Sequence, residues 1–158
     1  MWAGFRHRTL LLLCALAFAV ALRAPQVGAH SRYFYHEDDA HHFNRTVEMA
    51  QRFELNPHYF NKPALHFYLR MPVVWASAAW ARVSGELSSL KDIRTRDPYG
   101  LGGFAFSASH PTVLAWSRWF SVLMSLSIVA LTFSLALRLT LPNWAALLAA
   151  TLVAVSPE

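Results

Sequence analysis

The chain has a single cysteine, Cys14, so no disulfide can form within it, and because Cys14 lies inside an apolar run it carries no redox information. It has no run of lysine or arginine and no RNA-binding signature. Its net charge of +5 and pI of about 9.9 therefore do not point to nucleic acid; scattered basic residues beside apolar blocks suit an anionic lipid surface better. There is no internal repeat and no low-complexity tract. The HExxH spacing of zinc peptidases is also missing: His36 and His41 stand five positions apart instead of four, and His41 and His42 are adjacent, which points them in different directions on a helix. No metal site is expected from the histidines.

What the sequence does have is apolar residues in blocks. Of 158 residues, 55% are hydrophobic and the mean hydropathy is +0.28, above the roughly 45–50% of an average soluble domain. The excess lies in Thr9 to Leu22 and in Trp119 to Val155, a distribution that predicts membrane helices rather than one large core. Arg6, His7 and Arg8 precede the first block; Arg23 and Pro25 are expected to end it. That block is short for a full crossing, and Val27-Gly28-Ala29 has the small residues of a cleavage site, so a cleaved signal peptide and a retained signal anchor both stay open. Either way the basic start keeps the N-terminus cytoplasmic and sends the chain beyond Arg23 to the opposite side. Trp119 to Leu137 offers about 19 residues without a charge, as a crossing requires. The expected organisation is a signal anchor or first transmembrane helix over residues 1–23, an extracytoplasmic segment over 24–110, a second transmembrane helix over 111–138, and the start of a third over 139–158. The apolar run still in progress at Ser156-Pro157-Glu158 is expected to belong to a fragment of a longer protein.

The long middle segment carries most of the charges. Asp38 to Phe53 reads as an amphipathic helix with Phe43, Val47 and Ala50 on one face. Asn44, Arg45, Glu48 and Arg52 are polar, Glu48 and Arg52 forming an i, i+4 pair, and Asn56-Pro57 ends the helix. Asn44-Arg45-Thr46 matches a glycosylation sequon, a triplet common by chance. Pro63 marks a second helix start. Leu65 to Val83 is apolar and aromatic but interrupted by Arg70, Pro72 and Arg82, which predicts a helix lying in the membrane interface with Tyr68, Trp75 and Trp80 at headgroup level. Gly85 to Ser109 reads as a surface loop with a turn at Asp97-Pro98-Tyr99-Gly100. Pro142-Asn143-Trp144 reads as a tight turn, and Ala145 to Val155 as the start of a return crossing. The fold class expected is an all-α membrane protein, with transmembrane helices and interfacial amphipathic helices in the first extracytoplasmic loop.

Three places could carry chemistry. Tyr35-His36-Glu37-Asp38-Asp39 sets three acids in a row at the water–lipid boundary. There a carboxylate could accept a proton from an attacking hydroxyl and a neighbour could bind a divalent cation. The plainer role is a helix cap by Asp38 or Asp39, and the two are compatible. Lys62, before Pro63 at the mouth of the second helix, could hold a phosphate or merely snorkel to headgroups. Arg118, at the outer start of the long span, could do either.

In order and spacing these pieces resemble the N-terminal region of GT-C-fold glycosyltransferases that use polyprenyl-phosphate sugars. The likeness is to glycosyltransferase family 39, which includes protein O-mannosyltransferases and the bacterial aminoarabinose transferase acting on lipid A. Asp38-Asp39 takes the place of that family's Asp-Glu pair, and Ala40 through Glu48-Met49 matches the helix behind it. Lys62-Pro63-Ala64-Leu65, followed by Phe67-Tyr68-Leu69, matches its Lys-Pro-Pro-Leu motif. Ser117-Arg118-Trp119-Phe120 resembles its arginine segment, and Ser156-Pro157 its Ser-Pro after the third span. The resemblance implies an inverting transfer from a polyprenyl-phosphate sugar to an extracytoplasmic glycan, lipid or protein. In that scheme Asp38, with Asp39, is catalytic, and Lys62 and Arg118 bind the donor phosphate. Asn61 and Ala64 depart from the pattern; some members have an acidic residue at the position of Asn61, so the divalent cation is in doubt. Two rival classes remain: a membrane anchor or assembly subunit without catalysis (or a nonfunctional fragment), and a transporter fragment, which the lack of ionisable groups in the middle of the long span disfavours.

Overall fold

A computed structural model describes residues 2–28, 37–59, 63–95 and 110–156, apart from the side chains of 2–5, 26, 37 and 38. Every regular element among them is helical: α1 (Trp2–Gly28), α2 (Glu37–Arg52), α3 (Leu65–Val83), a short 3-10 turn (Leu90–Asp92), α4 (Pro111–Arg138) and α5 (Asn143–Val155). Two stretches, Arg6–Pro25 and Pro111–Arg138, are long and apolar enough to cross a membrane. The chain divides into two compact units, one of residues 1–26 and 121–158, the other of residues 27–120.

The first unit packs α1, the later part of α4 and α5. Its interior is Ala15 and Ala19 from α1, Val129, Phe133 and Ala136 from α4, and Ala146, Ala150 and Ala154 from α5. The alanines of α1 and α5 recur every fourth residue, so each of these helices shows one smooth stripe that lets backbones approach closely. The helix ends fix direction. Arg8 donates to the Asn143 side chain at 3.2 Å, and Arg23 donates to the Ala154 carbonyl at 2.6 Å. Start meets start and end meets end, so α1 and α5 run parallel. Between α4 and α5 the chain reverses within residues 139–142. Leu141 N–H bonds the Ala136 carbonyl and Thr140 N–H that of Leu137, with Thr140 left-handed at φ 60°, the paired bonding of a Schellman ending.

In the second unit, Ala40, Phe43, Val47 and Ala50 of α2 pack on Val74, Ala78 and Ala81 of α3 and on Val113 and Leu114 at the start of α4. The face expected for α2 is thus its core face. Met49, Phe67 and Met71 form a second small cluster. The segment after α3 is tied down. Gly85, at φ 78°, reverses the chain, and the Gln51 amide donates to the carbonyls of Leu90 (2.9 Å) and Ile93 (2.8 Å). Glu86 accepts from the hydroxyls of Thr112 and Ser84. Those two bonds, Thr112 first, hold its carboxyl below the ordinary value of 4.5.

Several sequence expectations need correction. α1 does not stop at Arg23 and Pro25 but runs through Pro25 to Gly28, since a proline near a helix end removes only one late hydrogen bond. α3 has the expected bounds; of the residues that interrupt its apolar run, Arg70 turns inward and Pro72 sits on the exposed side, and the helix begins two residues after Pro63. Asn44 and Thr46 are buried rather than solvated, which closes the sequon to modification in the folded unit. The segment after Gly85 is no simple surface loop, because Leu87 and Ile93 enter the core; its part over 96–109, with the Asp97–Gly100 turn, lies outside the described residues. Pro142 precedes α5 directly and Asn143-Trp144 form its first turn, so the reversal lies slightly earlier than expected.

Candidate functional site

The start of α2 is where the sequence-chosen residues can be followed. α2 begins at Glu37, so Asp38 and Asp39 are its second and third residues rather than its cap. Acids in a first turn still oppose the helix dipole. The side chain of Asp39 does more than that. Its Oδ2 accepts from Nη2 of Arg118 at 3.3 Å, with the two side chains 27% and 13% exposed. The residues are 79 positions apart in sequence. α4 makes this meeting possible by starting early: His110 accepts the Val113 N–H at its Nδ1, and Pro111 takes the first helical position, where its missing N–H costs nothing. Arg118 therefore lies inside α4 and faces α2.

One residue earlier, Ser117 is buried and its hydroxyl accepts from Arg70 Nη1 at 2.9 Å. Arg70 is 5% exposed. A guanidinium this deep fixes the rotation of α3 against α4, because its planar fork is costly to strand. Neighbouring residues of α4 thus make contacts to two helices: Ser117 accepts from Arg70 of α3, and Arg118 donates to Asp39 of α2. The sequence alone shows Arg70 only as an interruption and hides this partnership. A signal for it exists: Arg70 shares a face with Phe67 and Val74, at i−3 and i+4.

Beside the site lies a cluster of rings. His41 is fully buried, with its ring 4.3 Å from that of Tyr59, and His42 meets His66 edge-on at 4.3 Å. The Arg45 guanidinium sits 5.9 Å above Tyr59. The rings of His41 and His42 lie 5.7 Å apart and both contact Phe67; among the described residues no group of three or more His, Cys, Asp or Glu side chains is placed to hold a metal ion. Lys62 lies outside the described residues, as do Tyr35, His36 and Asn61. The Asp38 side chain is likewise not described, so the distance between Asp38 and Lys62 is not part of this geometry.

On its outer face α3 carries a continuous apolar stripe. Leu65, Tyr68, Leu69, Trp75, Trp80 and Val83 are all exposed, and Phe53, 80% exposed and left-handed at φ 53°, stacks on Trp75 at 6.0 Å. No family model, no curated protein and no solved structure matches the chain.

Proposed function

We propose that the chain is the N-terminal part of a membrane glycosyltransferase that moves a sugar from a polyprenyl-phosphate carrier to an extracytoplasmic acceptor. The single observation that carries the reading is the Asp39–Arg118 ion pair. The acidic pair and the arginine segment, two separate parts of the resemblance to family 39, come together from opposite ends of the second unit.

The membrane part of the proposal rests on the two long apolar helices and on the parallel course of α1 and α5, as three alternating crossings require. The hydroxyls on these helices turn back on their own backbone: Ser127 donates to Leu123 O, Ser134 to Ala130 O and Thr151 to Leu147 O. A hydroxyl satisfied in this way is cheap to place in lipid. The exposed stripe of α3, with tryptophan and tyrosine, suits the headgroup level. Arg6 and Arg8 keep the N-terminus cytoplasmic and assign α2 and α3 to the extracytoplasmic side.

In the transfer, Asp38 takes the proton of the acceptor hydroxyl or amine. The acceptor atom bonds to the anomeric carbon from the face opposite the phosphate, inverting it. The bond from that carbon to the phosphate oxygen breaks, and its electron pair leaves with the carrier phosphate. Lys62 and Arg118 stabilise the charge that grows there. An interaction that strengthens as charge develops lowers the barrier. The test is Asp38→Asn in the full-length protein, reconstituted in nanodiscs with a polyprenyl-phosphate sugar. Loss of a positioned base lowers transfer by about 10²–10⁴-fold, with insertion unchanged; normal turnover by this variant refutes the role of Asp38. The same exposed stripe of α3 favours a second reading, an assembly subunit without catalysis, in which the wild-type chain would transfer no sugar at all.

A further inference from the structure

We infer that the corner between α4 and α5 binds the phosphate of an anionic phospholipid, held by Arg6, Arg8 and Arg138. This corner belongs to the unit of α1, α4 and α5, apart from the candidate transfer site. The inference rests on the membrane part of the reading above and is independent of sugar transfer.

The charge at this end is one-sided. Arg6, His7 and Arg8 of α1 are exposed, and so is Arg138, the last residue of α4. Arg8 bonds Asn143 on the far side of the reversal that follows Arg138, which brings the three arginines to one end of the unit. Among the described residues this unit has no aspartate or glutamate, and none of these arginines makes an ion pair. Like charges gathered in this way repel one another, and an anion from outside relieves them. Arg8 is also aimed. Its Nε donates to the Asn143 side chain at 3.2 Å, and among the described residues its two Nη nitrogens make no hydrogen bond. A guanidinium held by one edge offers the rest of its fork to phosphate oxygens.

The side chains around the turn decide for a lipid over a free anion. Leu139, Leu141 and Trp144 are 63%, 46% and 69% exposed. Such a corner suits the headgroup layer, where tryptophan concentrates. A phospholipid also brings acyl chains, and the exposed Leu10 and Leu13 lie on the next turns of α1 to cover them. The basic N-terminus assigns this end to the cytoplasmic leaflet, whose anionic lipids supply the phosphate.

The test uses the whole chain in phosphatidylcholine nanodiscs, with phosphatidylglycerol added in steps and the lipid kept on release counted by native mass spectrometry. The wild type keeps phosphatidylglycerol in preference to phosphatidylcholine. Arg8→Gln and Arg138→Gln each weaken that binding about fivefold. Arg82→Gln, which removes an exposed arginine of α3 in the other unit, leaves it unchanged. Asn143→Asp supplies the missing carboxylate at the first residue of α5. An acid there favours the helix, so the unfolding temperature holds while phosphatidylglycerol binding falls; this variant separates loss of the site from loss of folding. No preference for phosphatidylglycerol, or an equal loss in Arg82→Gln, overturns the site, since binding would then follow bulk lipid or net charge. Displacement of the lipid by inorganic phosphate overturns it too, because the corner would then take any anion. A chain that inserts but shows no preference overturns the site alone. One that stays in solution without lipid or detergent overturns the membrane reading with it.

Discussion

In the unit of α1, α4 and α5 the interior is chiefly alanine, valine and phenylalanine, and the arginines sit at the helix ends as clamps on Asn143 and on the Ala154 carbonyl. In the unit around α2 and α3 the interior also takes in His41, Asn44, Arg70 and Ser117. Stripes of alanine make helices fit closely but hold no chemistry. Buried polar groups cost desolvation and fix a single arrangement only when they are satisfied. The difference separates a part that needs only shape from a part that must hold charges at set places, and the Asp39–Arg118 pair lies in the latter.

The largest stability effect expected is in the polar unit. Phe43 is 1% exposed at the centre of its core, and Phe43→Ala should cost about 3–5 kcal/mol, read by chemical or thermal unfolding in detergent. In the alanine unit, removing volume is not the weak point, because there is little to remove; adding it is. Ala150 is fully buried between helices, and Ala150→Leu should cost about 1–3 kcal/mol through overpacking. If Ala150→Leu is neutral while Phe43→Ala is severe, the close fit of the alanine stripes is wrong. A smaller effect sits at the helix ends. Thr140 is a β-branched residue in the left-handed region, an unfavourable place for it; Thr140→Gly should raise stability by about 0.5–1 kcal/mol. The smallest effect at neutral pH tests the polar seam between α3 and α4. Glu86 has a folded pKa lowered below 4.5 by its hydroxyl partners. Its contribution is therefore complete above that value and is lost as pH falls through the folded pKa. Wild type and Glu86→Gln should differ by a constant amount from pH 7 to about 5 and converge on further acidification. A difference that does not change with pH would show that the carboxylate charge has no part in the seam.

Much of the helical layout is legible in the sequence because periodicity and charge-free length are local signals. The apolar face of α2, the bounds of α3 and the long span all follow from them. Misplaced features arise where a local rule meets a tertiary one. Pro25 reads as a break and Arg70 as a charge that spoils an apolar run, yet a proline near a helix end is tolerated, and a buried arginine is accommodated once another helix supplies a hydroxyl, here Ser117. Leu87 and Ile93 look like loop residues because their burial depends on an amide donated from α2. For the site, motif order points to Asp39 and Arg118. Their contact could not be read from sequence, since it joins residues 79 positions apart on two helices that no local pattern pairs.

The Gln51 amide is also a chemical weak point. One nitrogen faces two carbonyl oxygens, those of Leu90 and Ile93, and this grip secures the stretch between them. Gln51→Glu, the change that slow deamidation makes in an ageing protein, would set an oxygen against both carbonyls without altering size. Two attractions would become two repulsions, and the stretch would be released by a clock of hydrolysis instead of by a ligand.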